Sequence, residues 1–289
     1  MRTGSCRDAS HSPTADLAPT LYEIKTRHVQ VGDIWIAYRV IGQGEPLLMV
    51  MGSLATMDLW DPTFLATLAE RYMLVLYDHR GMGASSGSGP YEFGQLADDA
   101  AGLIQALNIG PTNVLGWSMG GSVVLDLALR YPELVKNVVS YAGDCGGPNA
   151  VNPPDEIWQA LTDPSGTPEE QGERLLGLLF PQDWLQQNFA YVLSVFDRPT
   201  EPIDPQAVEL QVKAIFEWPG IYDQLGNINV PVMIVQGTAD VITPPENGDI
   251  LANGIPGSWL IRFANGGHGL QSQEPRRFAR LVMNFFGDY

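Results

Sequence analysis

The sequence predicts an α/β domain in which helices cover both faces of a mostly parallel sheet. Short, continuously apolar segments recur along the chain, and such segments are typical of strands buried on both faces. Segments with helical periodicity separate them, and strands that alternate with helices generate parallel sheets. The length of 289 residues suits one large domain of this class with an insertion.

Each predicted element has its own signal. Residues 29–40 alternate apolar and polar side chains around Gly32-Asp33, which predicts two strands joined by a tight turn. Continuous apolar runs predict buried strands at 46–51, 72–77, 112–115, 134–142, 230–236 and 258–263. Helical patterns occur at 61–71, 93–107, 122–130, 245–252 and 273–286, and the pair Asp61-Pro62 is typical of a helix start.

One long interval interrupts this alternation. No strong strand signal occurs between residues 145 and 226, and proline-rich turns separate helical patterns at 173–180 and 207–218. We predict that 145–226 is a helical cap inserted into a core made of 21–144 and 227–289, and that 1–20 is a disordered tail. The cap segment, 145–226, is the most acidic part of the chain, and such a run is more typical of a solvated face than of a binding site.

Composition disfavours several kinds of partner. The net charge of −17 would repel nucleic acid and anionic membrane surfaces. No apolar run is long enough to span a bilayer, and residues 1–20 are too polar for a signal peptide. The two cysteines, Cys6 and Cys145, do not suggest a disulfide framework, and we interpret Cys145 as a small buried residue. We therefore expect a cytoplasmic protein, monomeric or homodimeric.

The segment around Ser118 predicts a nucleophile. It consists of a short apolar strand, the turn Gly116-Trp117-Ser118-Met119-Gly120 and a helix with one apolar face. A strand, a G-x-S-x-G turn and a helix together form a nucleophile elbow, which lifts the serine hydroxyl clear of the sheet. Gly116 and Gly120 supply bare backbone where the turn is too tight for side chains. The helix directs its amides and the positive end of its dipole toward a developing oxyanion.

A serine nucleophile needs a base and a carboxylate that orients the base. The histidines of the chain are His11, His28, His79 and His268. Among them, His268 alone lies in a glycine-rich loop after the last predicted strand, at the sheet edge where ligands bind in such folds. Asp240, which follows the strand at 230–236, is the predicted acid, and Asp144, at the end of the strand at 134–142, is its rival.

Four motifs together carry a resemblance to a known family. They are Gly116-Trp117-Ser118-Met119-Gly120-Gly121, Tyr77-Asp78-His79-Arg80-Gly81-Met82-Gly83-Ala84-Ser85, Gly237-Thr238-Ala239-Asp240 and Gly267-His268-Gly269. Over residues 28–289 the chain resembles the α/β-hydrolase superfamily, in which nucleophile, acid and base follow the order Ser118, Asp240, His268. The resemblance implies an α/β-hydrolase fold and an oxyanion hole that uses the amide of Met119.

The second oxyanion donor of such enzymes comes from a loop that usually carries a His-Gly pair. This chain has Met51-Gly52-Ser53 there, so the resemblance implies that the Ser53 amide is the donor, on a loop without its usual histidine. With methionine in place of this histidine, the loop resembles that of a subset of esterase-like members, which includes anthracycline methyl esterases.

The predicted function is that of a serine hydrolase, similar to esterases, which cleaves a small, mostly neutral carboxylic ester through an acyl-enzyme. No cofactor or metal is expected. Three alternatives remain open: the same triad acting on a lactone, on a carbon–carbon bond or in perhydrolysis; a ligand receptor with this fold; and an interfacial lipase. We expect the cap segment to set substrate range through some of its large aromatic residues, which are Trp158, Phe180, Trp184, Phe189, Tyr191, Phe196 and Trp218.

Overall fold

An eight-stranded sheet forms the centre of the computed structural model, which describes residues 24–288 except 88, 90, 197–200 and 202. The strands are β1 (Arg27–Val31), β2 (Ile34–Ile41), β3 (Glu45–Val50), β4 (Tyr72–Tyr77), β5 (Thr112–Trp117), β6 (Val135–Tyr141), β7 (Val232–Gly237) and β8 (Trp259–Phe263). Their order across the sheet is β1-β2-β4-β3-β5-β6-β7-β8. The hairpin β1–β2 lies at one edge and β2 pairs antiparallel with β4, whereas the six strands β3 to β8 run parallel, which confirms the predicted mostly parallel sheet. The predicted tail at 1–20 lies outside the described residues.

Ten α-helices occur in the described residues. They are α1 (Pro62–Leu68), α2 (Gly94–Leu107), α3 (Met119–Arg130), α4 (Asp155–Thr162), α5 (Pro168–Leu179), α6 (Gln182–Phe196), α7 (Pro205–Glu217), α8 (Glu246–Gly254), α9 (Leu270–Gln273) and α10 (Pro275–Gly287). The predicted start of α1 is confirmed, since the Asp61 side chain accepts hydrogen bonds from the amides of Thr63 and Phe64.

Successive side chains of the central strands pack into separate apolar layers. Leu47 and Met49 of β3 belong to the layer beneath α1 and α10, whereas Leu48 and Val50 belong to the layer beneath α2, α3 and α8. This alternation is the period of two of a strand, and the apolar side chains on both faces explain why β3 appears in the sequence as an uninterrupted apolar run. The helices on both faces confirm the predicted layering.

Between β6 and β7, in the segment predicted as a cap, lie the four helices α4 to α7. The patterns at 173–180 and 207–218 match α5 and α7, whereas α4 and α6 were not predicted. Helix α6 carries apolar side chains on more than one face, with Phe189 and Leu193 exposed and Val192 buried, so its periodicity is weak. In the part of the chain that is described, no helix is long and apolar enough to cross a bilayer.

A partly buried hydrogen bond joins α6 to the core. The Tyr191 hydroxyl donates to Oδ2 of Asp61 over 2.7 Å. Burial is the main cause that raises the pKa of Asp61, and the hydrogen bond from Tyr191 opposes that rise. The Asp61 carboxylate therefore caps α1 and also accepts a hydrogen bond from α6.

Candidate active site

Ser118 lies between β5 and α3 in a backbone conformation that few non-glycine residues adopt, with φ 58° and ψ −123°. A Cβ atom on Gly116 would lie 1.9 Å from the carbonyl oxygen of Gly120, and one on Gly120 would lie 2.2 Å from that of Val50. Both glycines are thus required by close backbone approach, as the elbow motif predicts. The Ser118 amide donates to Tyr141 of the neighbouring strand over 2.8 Å, which holds the turn in place.

His268 and Asp240 form a buried pair. Nδ1 of His268 lies 2.9 Å from Oδ2 of Asp240, and both side chains are almost fully buried. The other carboxylate oxygen, Oδ1, accepts the amides of Ile242 and Thr243, each over 2.9 Å. Because Asp240 is fixed on both sides, it favours the tautomer in which Nδ1 carries the proton and Nε2 is free to accept one.

The loop of His268 is anchored at its backbone as well. The carbonyl oxygen of His268 accepts hydrogen bonds from Nε1 of Trp117, over 3.0 Å, and from the hydroxyl of Tyr141. These donors end the neighbouring strands β5 and β6, so the elbow and the histidine loop are held against each other.

One cavity of about 770 Å³ brings most of the predicted site residues together. Ser118, His268, Met119 and Ser53 all contribute to its wall, and Asp240 lies behind His268. The predicted rival acid, Asp144, lines the same cavity. Its Oδ1 accepts from the Gly146 amide over 2.8 Å and from the Ser122 hydroxyl over 3.4 Å, and it makes no hydrogen bond to His268. Burial raises the pKa of Asp144. The geometry thus joins His268 to Asp240.

The loop after β3 lies directly over the nucleophile. A Cβ atom on Gly52 would be 3.1 Å from Cβ of Ser118, so the loop touches the elbow there. The amide of Leu54 is already used, since it donates to Oε1 of Gln211 over 2.7 Å. The Ser53 amide makes no hydrogen bond within the described residues, and neither does the amide of Met119 at the start of α3. Both amides therefore remain free to donate to a ligand in the cavity.

A histidine from a different strand supports this loop. Nε2 of His79, just after β4, lies 2.9 Å from the carbonyl oxygen of Met51 and donates its proton there. Burial lowers the pKa of His79, which keeps the ring neutral. No role in the site was predicted for His79. Its place in one of the four quoted motifs was the signal that could have found it.

Part of the cap segment closes the cavity. Trp158 and Trp218, among the seven aromatic residues predicted, line it, and so does Phe216, which was not singled out. Phe180, Trp184 and Phe196 instead pack against one another, and Phe189 is exposed. Of the seven aromatic residues expected to affect substrate range, Trp158 and Trp218 are thus the ones that contact the cavity.

The charged groups on the cavity wall are mainly acidic. Asp163 and Glu217 join Asp144 there, against the single guanidinium of Arg174. Nη2 of Arg174 donates to the carbonyl oxygens of Asp163 and Ser165, so the guanidinium is engaged by the cap itself. An anionic ligand would therefore meet more negative than free positive charge.

Two other expectations concern reactive groups. Cys145 is buried, and burial is the main cause that raises its pKa to about 11, so its thiolate is scarce at neutral pH. No group of three or more His, Cys, Asp or Glu in the described ranges is arranged to hold a metal ion.

Comparison with known proteins identifies the family of these motifs. The sequence profile described as "alpha/beta hydrolase fold" matches residues 45–275. A relative from Azorhizobium caulinodans, named "Putative carbamate hydrolase RutD", is 27% identical over 260 residues, which cover 89% of this chain and 97% of the relative. An "Alpha/beta hydrolase fold protein" from Chitinophaga pinensis superimposes with a TM-score of 0.79 at 26% identity, covering 92% of this chain and 98% of its own. A hydrolase from Pseudomonas aeruginosa gives 0.78 at 25% identity, covering 91% and 98%.

Proposed function

This chain belongs to the alpha/beta hydrolase fold family and is a hydrolase, and we propose that it is a serine hydrolase that cleaves a small, mostly neutral carboxylic ester through an acyl-enzyme. The observation that carries the proposal is the buried contact of 2.9 Å between His268 and Asp240, with His268 and Ser118 on the wall of one cavity. A nucleophile, a base and an orienting carboxylate in this arrangement are the requirements of acyl transfer.

Each group has a defined task in this mechanism. Ser118 attacks the ester carbonyl while Nε2 of His268 takes its proton, and His268 then protonates the leaving alcohol. Asp240 stabilises the imidazolium and holds its orientation. The amides of Met119 and Ser53 donate to the oxyanion of the tetrahedral intermediate. Water, activated by the same histidine, then releases the acid from the acyl-enzyme.

The cavity wall supports a neutral substrate. Aromatic rings of Trp158, Phe216 and Trp218 offer apolar surface to an acyl or alcohol group. The carboxyls on the same wall disfavour an anionic ester, and this discrimination weakens as salt screens the charges.

The cytoplasmic location of the protein stays a prediction, which rests on the small number of cysteines in the sequence.

A carbamate is the second candidate substrate. The relative from Azorhizobium caulinodans, whose similarity covers 89% of this chain, is named a putative carbamate hydrolase. One cavity group would suit it. Oδ2 of Asp144 receives no hydrogen bond from the described residues, and an N–H of a carbamate could donate to such an acceptor.

The experiment compares two aryl substrates with the same leaving group, an aryl acetate and an N-unsubstituted aryl carbamate. We expect a burst of aryl alcohol from the acetate and, by mass spectrometry, an acetyl group on Ser118. A larger kcat/KM for the carbamate would favour the second candidate. Ligand binding without a burst from any ester or carbamate would indicate a receptor and contradict the proposal.

A further inference from the structure

Helix α7 of the cap segment presents one polar side chain on an otherwise small, apolar face. Its buried residues are Ala207, Gln211 and Ala214, whose spacing of four and three places them on one side of the helix. A Cβ atom on Gly81 would lie 3.2 Å from Cβ of Ala207, so this face approaches the core closely. Gln211 is completely buried between the two alanines.

The buried amide of Gln211 is only partly satisfied. Its Oε1 accepts the Leu54 amide over 2.7 Å, a contact between residues 157 positions apart. Its Nε2 is buried without a partner in the described part of the chain. A buried donor without an acceptor costs free energy that an apolar side chain of the same shape would avoid. The bond to Leu54 and the unpaired Nε2 therefore act on stability in opposite directions.

The hydrogen bond is made by a residue with a strained backbone in the loop 51–54 after β3, here called the oxyanion loop. Leu54 has φ 60°, in the left-handed region that disfavours leucine. Two residues earlier, Gly52 touches Ser118, and His79 holds the carbonyl oxygen of Met51 from the core side. The Ser53 amide lies between these fixed points, so the loop is held by the core at one end and by the cap at the other.

We propose that Gln211 is a positioning residue, which fixes the oxyanion loop through the Leu54 amide so that the Ser53 amide meets the oxyanion formed at Ser118. The proposal rests on the proposed function, since it assigns part of that oxyanion hole to the cap segment. It adds a positioning role to the cap segment, which was expected to set substrate range.

The test changes the Oε1 acceptor of Gln211 in three variants. Gln211→Met removes it, Gln211→Ala removes it with a different side chain, and Gln211→Glu keeps an oxygen acceptor. For an aryl acetate we expect the first two to lower kcat about 10- to 100-fold with KM changed less than about threefold, because a misplaced donor affects the transition state. Gln211→Glu should lose less than about threefold, since the carboxyl oxygen still accepts the Leu54 amide.

A matched control distinguishes a specific effect on the oxyanion loop from a general loosening of the cap segment on the core. Tyr191→Phe removes another partly buried hydrogen bond between cap and core, the one to Asp61, which does not touch the loop. This variant should keep kcat within about threefold of the wild type, since it leaves the transition-state donors in place. Thermal unfolding of every variant verifies that each is folded.

A second measurement does not depend on turnover. A trifluoromethyl ketone forms an oxyanionic adduct with a serine nucleophile, so its affinity should fall by the same factor as kcat/KM in Gln211→Met, whereas a non-reactive amide analogue should bind unchanged. Equal losses in Gln211→Met and Tyr191→Phe, or an unchanged ketone affinity, would overturn the positioning role alone. Absence of wild-type turnover and of fluorophosphonate labelling at Ser118 would instead overturn the proposed function.

Discussion

Asp240→Asn tests the assignment of the acid in atomic detail. Two backbone amides, those of Ile242 and Thr243, donate to Oδ1, so the oxygen of the new amide group must take that position. Its NH₂ group then replaces Oδ2 and faces Nδ1 of His268, 2.9 Å away. Because an NH₂ group donates, Nδ1 must accept, and the imidazole proton moves to Nε2. A protonated Nε2 cannot take the proton of Ser118.

The expected loss in kcat is therefore about 10⁴-fold, the size found when a serine hydrolase is left with the wrong tautomer. The control is Asp144→Asn, which makes the same carboxyl-to-amide change in a residue on the cavity wall that does not contact His268. It should lose less than about tenfold, since it leaves the tautomer intact. Pre-steady-state release of an aryl alcohol measures acylation directly. A larger loss in Asp144→Asn than in Asp240→Asn would refute the reasoning and transfer the role of acid to Asp144.

Three further predictions follow from other parts of the molecule. Ser118→Ala should lower ester turnover about 10⁴-fold or more without unfolding the protein, as measured by steady-state kinetics and circular dichroism. Trp158→Ala and Trp218→Ala should change the ratio of kcat/KM for a bulky and a short neutral ester by about tenfold, because both rings line the cavity, whereas exposed Phe189→Ala should leave the ratio unchanged. Burial is the main cause that raises the pKa of Asp126 from 3.8 to about 6. The charged form therefore destabilises the fold increasingly from about pH 4 and fully above about pH 6. Urea unfolding should show Asp126→Asn up to about 3 kcal/mol more stable than wild type at pH 7 and equally stable below about pH 4.

The sequence predicted the core well because its signals are local. A strand covered on both faces appears as an apolar run, so β4 was predicted with its observed bounds and the other parallel strands within a few residues. The α4 and α6 helices escaped prediction for a physical reason. The first is short and follows a proline-rich turn, and the second exposes apolar side chains that blur its period.

The candidate site divides in the same way. Ser118, Asp240 and His268 each follow a strand within a short motif, so their neighbourhood could be inferred from topology. Gln211 could not be inferred, since its importance rests on a contact with Leu54 that crosses 157 positions. On a helix in the sequence it is one polar residue among several, and only the packed structure distinguishes it.

Backbone strain concentrates at the edge of the sheet where the cavity lies. Five non-glycine residues in the described chain have positive φ, and four of them, Leu54, Ser118, Ala142 and Asn265, follow the carboxyl ends of strands. Each such conformation costs about 1–2 kcal/mol, so it persists only where surrounding contacts enforce it. In all four the amide donates to another segment, and the acceptors are respectively Gln211, Tyr141, Val235 and Thr238.

Three of these acceptors lie in the core, and the fourth lies in the cap segment. Tyr141, Val235 and Thr238 belong to the core, so the elbow and the loop that leads to His268 are held by the sheet itself. Leu54 is held from the cap segment. A perturbation that shifts α7 should therefore disturb the oxyanion loop while Ser118, Asp240 and His268 keep their arrangement. Turnover of an ester would then fall while the contact between His268 and Asp240 stays intact.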